Sequence, residues 1–159
     1  IIDNTVAKYV DFTDADLDTI TVRNSDLSKS NFEGVHLNQI DFDNVVLKHT
    51  DMTGLNLEDD KITNSDFSDA ILSKIKLAGA NLQNSIFTNA EIKFANLAGV
   101  DLTNADMSGT NLEGTMLTSA TLIQADFTDA DLTLADLTNS NTQYAKFNGI
   151  ISTGCEGCP

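Results

Sequence analysis

One register of apolar residues runs through almost the whole chain at a spacing of five. From Phe12 it passes through Leu17, Val22, Leu27 and Phe32, and onward through Leu122, Phe127 and Leu132 to Leu137; these are twenty-six consecutive apolar positions without a slip. The phase falters only at Thr142, returns at Phe147, and reaches back to Ala7 and Ile2. A second column, two residues earlier, holds small or β-branched side chains such as Ala15, Ile20, Ser25, Ala120, Ala125 and Ala130. The position between the two columns is often Asp or Asn, and the remaining two are polar or Gly nearly throughout.

A period of five fits neither standard element. On an α-helix, five residues turn through about 500°, so the column drifts around the axis. On a straight strand, an odd step sends successive side chains to opposite faces. All twenty-six apolar residues reach one core only if the chain bends after each repeat in the same sense. Continued bending closes into coils, and stacked coils form a solenoid. The chain is therefore read as an all-β helix.

Stretches such as Ala125-Asp126-Phe127-Thr128-Asp129, Ala130-Asp131-Leu132-Thr133-Leu134 and Ala95-Asn96-Leu97-Ala98-Gly99 resemble the A-(D/N)-(L/F)-x-x signature of the pentapeptide-repeat family. The resemblance covers residues 10 to 150. It implies a right-handed quadrilateral β-helix with four repeats per coil and about seven coils, on the order of 34 Å long at 4.8 Å per coil. The β-helix is assigned to residues 1–150 and a C-terminal cap to 151–159. Phe67, Phe87, Phe127 and Phe147 lie multiples of twenty apart, so they are expected to stack along one inner edge. Each fully buried Leu or Phe contributes roughly 1.5–3 kcal/mol.

Net charge is −15, with 24 acids against 9 bases. Such a surface repels phosphate backbones and anionic lipid, which argues against direct nucleic-acid or membrane binding and for protein partners. No apolar run approaches the roughly 18 residues of a membrane-spanning helix. The chain opens on Ile1, and a preceding segment is expected to have been removed.

The pattern offers little chemistry. The carboxylates fall on outward positions over all four sides and read as a solvated acidic surface. His36 and His49 point outward on different sides, and no Cys in the body completes a zinc site. There is no phosphate-binding Gly loop, no nucleophile–base arrangement and no calcium-binding nonapeptide. The chain is therefore expected to have no catalytic residues, no metal and no cofactor.

The informative positions are those that break the pattern. Phe94 and Leu134 occupy the same outward column two coils apart, with Gly114 between them. This apolar pair with a notch is a candidate docking spot. Met116 and Ile123 are further outward apolar residues assigned to partner contact, and Ile71 and Ile86 are other exceptions. Between Phe94 and Tyr144 there are seven acids and no Lys or Arg, a bias that steers basic partners to the C-terminal coils. Glu58-Asp59-Asp60-Lys61 places an acid where a small inward residue is expected, and reads as a local bulge in place of a regular coil edge, a distorted corner rather than a functional site.

Cys155 and Cys158 are the only cysteines. A Cys155–Cys158 disulfide that folds the tail back is the first reading and would indicate an oxidising compartment; free thiols are the second.

Pentapeptide-repeat proteins are common in cyanobacteria and plastids, several in the thylakoid lumen. The acidic surface, removed presequence and terminal Cys pair resemble those lumenal members. The resemblance implies a non-enzymatic scaffold docking from the lumen on a photosynthetic membrane assembly. The alternative it implies is a cytoplasmic DNA mimic that binds a type II topoisomerase. Members of that kind are typically dimers joined by C-terminal elements and often carry projecting loops, for which this unbroken frame leaves no room.

Overall fold

The structure, a computed structural model, describes residues 1–159. The chain winds into a four-sided coil of twenty residues per turn. Four short strands, β1 (Ile2–Asp3), β2 (Thr21–Arg23), β3 (Asp41–Asp43) and β4 (Lys61–Thr63), pair in parallel in sequence order. Their register joins Val22 to Phe42 and Phe42 to Ile62. Every further bridge is also parallel and links residues twenty apart, as in Asp66 with Ile86 and Asn111 with Asp131. Four such ladders run along the rod, one on each side.

The corners explain the period. Every fifth residue from Asn4 to Gly154 has a positive φ. At most corners the N–H of the small inward residue donates to the carbonyl of the preceding central residue, as Ala70 does to Phe67 at 3.0 Å. Asn, Asp and Gly tolerate the left-handed conformation best, and they fill most corner positions. One corner column reads Asn4, Asn24, Asn44, Asn64, Asn84 and Asn104. Its amides bond from coil to coil, with Asn44 Nδ2 donating to Asn24 Oδ1 at 3.0 Å and Asn104 Nδ2 to Asn84 Oδ1 at 3.2 Å.

Inside, a single cluster of 38 buried apolar residues fills the tube. It contains the central column from Val22 to Leu137 together with small-column residues such as Ala90, Ala105 and Ala130. Phe67 stacks on Phe87 with centroids 4.9 Å apart, and Phe127 on Phe147 at 5.2 Å. Those four do share one inner edge, with Met107 between the pairs. Phe12 and Phe32 stack at 5.2 Å on another edge. Buried inward hydroxyls are all bonded: Ser85 Oγ accepts from Ser65 N at 3.2 Å and donates to Ile62 O at 3.1 Å.

Asp60 occupies one of these inward slots. It is only 5% exposed, and its carboxylate accepts the Ile40 N–H at 3.0 Å, as Ser65 Oγ does for Val45 at 3.2 Å. The His36–Asn56 rung is missing from its ladder, and neither the Leu37 nor the Asn56 N–H donates to a backbone carbonyl. The segment is thus distorted, but without a bulge: no residue is inserted, Asp59 keeps its corner φ of 61°, and two coils part on one side.

Burial pushes the Asp60 carboxyl above its usual range. Its folded value therefore lies above the unfolded one, so ionisation opposes folding at neutral pH and the penalty disappears as pH falls through the raised value. Asp60→Ser, which keeps an acceptor for Ile40, should stabilise the rod by about 1 kcal/mol at pH 7. The gain should shrink on acidification, read from thermal unfolding between neutral and acidic pH. Asp126 behaves oppositely. Lys146, bonded at 2.7 Å, together with Thr128 holds it down at about 2. Its contribution is present above the ordinary carboxylate value and is lost as pH falls toward about 2.

The ladder does not stop at residue 150. Ile151 bridges Asp131 and Glu156 bridges Asp136, so the segment expected as a tail continues the coil. Cys155 and Cys158 form a disulfide with Cα atoms 5.9 Å apart, and both pack against the core. Gly157 is required between them, because a Cβ there would meet the Leu137 carbonyl carbon and the Thr138 nitrogen at 2.8 Å. Cys155→Ser opens only a very short loop, which the chain-entropy estimate puts at about 2 kcal/mol or less. Amide exchange should quicken in residues 150–159 and stay unchanged in the earlier coils.

Candidate docking edge

Corner residues that follow one another at intervals of twenty form four edges along the rod. The edge through Lys74, Phe94, Gly114, Leu134 and Gly154 differs from the others. Phe94 and Leu134 are 55% and 60% exposed, and both hold positive φ, 55° and 57°. Bulky residues rarely adopt that conformation. The side chains lean along the rod toward the next coil. A Cβ on Gly114 would lie 2.6 Å from Phe94 Cδ1, and one on Gly154 2.8 Å from Leu134 Cδ2. The expected notch at Gly114 is therefore covered by the Phe94 ring, and the surface is a strip rather than two points with a gap.

Met116, 47% exposed, stands two residues past Gly114 on the adjoining side. It falls between Phe94 and Leu134 in height, so three of the four large apolar residues assigned to partner contact come together. Ile123 does not join them. It adjoins the Gln124 corner, on the diagonally opposite edge, and is half-buried. Ile86 is exposed on a more distant ladder, whereas exposed Ile71 lies on the ladder beside the strip, one rung below Glu91.

Acids flank the strip. On one side stand Glu91 and Asp131, joined rung to rung through Asn111, and Glu113 two residues past Asn111. Lys93, the base among them, lies 3.7 Å from Glu91 and 3.6 Å from Glu113. On the other side Met116 bridges Asp136, which bridges Glu156. Hydrogen bonds from Thr133 and from Thr138 hold Asp131 and Asp136 below their usual range, so both stay anionic. Each accepts the N–H two residues on, at 2.9 Å and 2.8 Å.

The histidines stand apart, His36 on a ladder and His49 at a corner, its Nδ1 3.9 Å from Asp69 Oδ2. No group of three or more His, Cys, Asp or Glu is placed to hold a metal ion. The surface depressions are shallow and mostly polar, the largest about 390 Å³ and lined by Asn38, Gln39, Ile40, Glu58, Asp59, Asp60 and Lys61.

The family model for pentapeptide repeats matches in eight copies, over residues 25–59, 65–104, 95–133 and 117–151. A comparison with curated protein sequences finds no match. Among solved structures, a trypsin-treated form of QnrB1, a plasmid-mediated fluoroquinolone resistance protein, superimposes with a TM-score of 0.66 at 17% identity, covering 98% of this chain and 82% of that one. A pentapeptide repeat protein from the Arabidopsis thaliana thylakoid lumen gives 0.58 at 24% identity, over 59% of this chain and 66% of its own. At these identities the likeness establishes the fold.

Proposed function

The chain belongs to the pentapeptide-repeat family, whose fold is a right-handed quadrilateral β-helix, and on that premise we propose that it is a non-enzymatic docking scaffold. Its partner is a protein assembly of the photosynthetic membrane, met from the thylakoid lumen. One observation carries the reading. The rod sets exposed Phe94 and Leu134 on one edge, both at a positive φ that such side chains rarely adopt, with exposed Met116 beside them on the adjoining side.

Two further features support it. The carboxylates are distributed along the outside, where they exclude anionic partners and attract basic ones. The Cys155–Cys158 disulfide suits an oxidising compartment, and a lumenal protein shares the fold. No helix is long and apolar enough to cross a membrane, and docking is through protein contacts.

Affinity capture from native extract of the source organism under non-reducing conditions, followed by mass spectrometry, tests this. Recovery of photosynthetic membrane complexes is the expected result. Recovery of a type II topoisomerase instead would replace the reading with DNA mimicry, and recovery of neither would remove it.

A further inference from the structure

The strip along the Phe94–Leu134 edge has the dimensions of one side of an α-helix. Stacked coils are about 4.8 Å apart, so Phe94 and Leu134 are separated by about 10 Å along the rod and the strip from Phe94 to Gly154 spans about 14 Å. On an α-helix, residues seven apart are about 10.5 Å apart, and those three or four apart lie at about half that distance. The glycines at 114 and 154 carry no side chain to interrupt the strip, and the Phe94 ring and Leu134 lie across them. Met116 adds an apolar contact at the intermediate height.

The electrostatics define the rest of the partner. Glu91, Glu113 and Asp131 border one side of the strip, with exposed Ile151 above them, and Asp136 and Glu156 border the other. Lys93 is held between Glu91 and Glu113, Lys74 and Lys76 lie one coil below Phe94 at the lower end of the strip, and no Lys or Arg follows Lys93 until Lys146. A ligand lying on this edge meets an apolar line between two acidic margins.

We infer that the edge binds an amphipathic α-helix of a partner protein, lying along the rod, with apolar residues at i, i+3 or i+4 and i+7 and Lys or Arg on both flanks. The inference rests on the docking reading above and adds the partner's secondary structure and charge. Apolar anchors at helical spacing are how grooves and edges select helices over extended segments. The acidic margins set orientation and speed of encounter.

The probe is a synthetic Leu–Lys peptide of about five helical turns with Leu at i, i+4, i+7 and i+11, fluorescein-labelled and titrated with the full chain by anisotropy. Phe94→Asp and Leu134→Asp should each weaken binding by about tenfold or more, although each makes the protein more acidic. Ile123→Asp, on the far edge, should leave it unchanged. A peptide of the same composition with Leu and Lys alternating should bind more weakly by a similar factor. A second variant keeps folding separate from binding: repeating residues 95–99 after Gly99 moves Leu134 to the next edge while preserving the inward columns. Its circular dichroism should match the parent and its affinity should fall as in the point variants.

Equal or tighter binding by Phe94→Asp and Leu134→Asp would reduce the effect to charge attraction and overturn the inference. So would absence of binding, or a strip found occupied by a second copy of this chain, shown by concentration-dependent self-association that the same variants abolish. If Phe94→Asp still recovers the partners of the parent from native extract, the docking scaffold stands and the helix site alone falls.

Discussion

Inserting one residue between Asp101 and Leu102 should unfold the C-terminal coils, whereas inserting five at the Gly99 corner should leave the rod folded. The middle of that side is bonded on both faces: Asp101 N donates to Ala80 O at 3.0 Å and Leu102 N to Thr121 O at 2.8 Å. A single extra residue there puts Leu102 and the residues after it out of register with the coil below. A slip of one sends inward side chains outward, and each lost Leu or Phe forfeits roughly 1.5–3 kcal/mol. One coil of four such residues is enough to approach the whole stability of a typical domain, about 5–15 kcal/mol. Five residues add a complete side and corner, and every inward column survives. Thermal unfolding of the two insertions checks this; equal loss, or none from the single insertion, would mean that the five-residue frame does not lock the fold.

Phe87→Ala should cost about 3–5 kcal/mol. The Phe87 ring is 1% exposed and lies parallel to Phe67 at an interplanar angle of 1°. Truncation removes the buried area and leaves a cavity that the backbone ladders on all four sides resist closing. For a chain of this size that corresponds to a fall in Tm of about 10 °C. Ile86→Ala is the internal control. Ile86 is adjacent in sequence but faces outward and is 39% exposed, so its loss should stay within about 0.5 kcal/mol. Comparable losses at both positions would contradict the inward–outward assignment.

The inward half of this structure is legible in the sequence because burial imposes one requirement at a fixed interval. Leu102, Leu112, Leu122 and Leu132 are apolar for one reason, and the alignment of Phe67 with Phe87 follows from coil length alone. The outward half is organised by neighbours twenty residues apart. Asn24, Asn44, Asn64 and Asn84 each read as an ordinary polar surface residue, and only every twentieth position shows that they share a column in which Asn44 bonds Asn24 and Asn84 bonds Asn64. The corner φ values have the same kind of signal in the Asn, Asp and Gly of one column in five. Lys29, Phe94 and Leu134 adopt the conformation against their own preference, because the coils above and below impose it.

The same distinction governs the candidate site. Phe94, Gly114 and Leu134 share a column and are linked by counting, and Met116 joins them through the next side. Grouping Ile123 with them rests on its being outward and apolar, which carries no information about which edge it adjoins. Asp60 announces a distortion by its charge. That the consequence is a missing rung at His36 and Asn56, rather than an inserted residue, depends on backbone pairing that the sequence pattern leaves unstated.

Whether the rod docks by this edge is tested by parallel capture from native, non-reduced extract with the parent chain, Leu134→Asp and Ile123→Asp. The same membrane-complex proteins should be retained by the parent and by Ile123→Asp and be missing from Leu134→Asp, with all three showing the same unfolding temperature. Retention by all three alike would contradict an account in which this edge is where the rod docks.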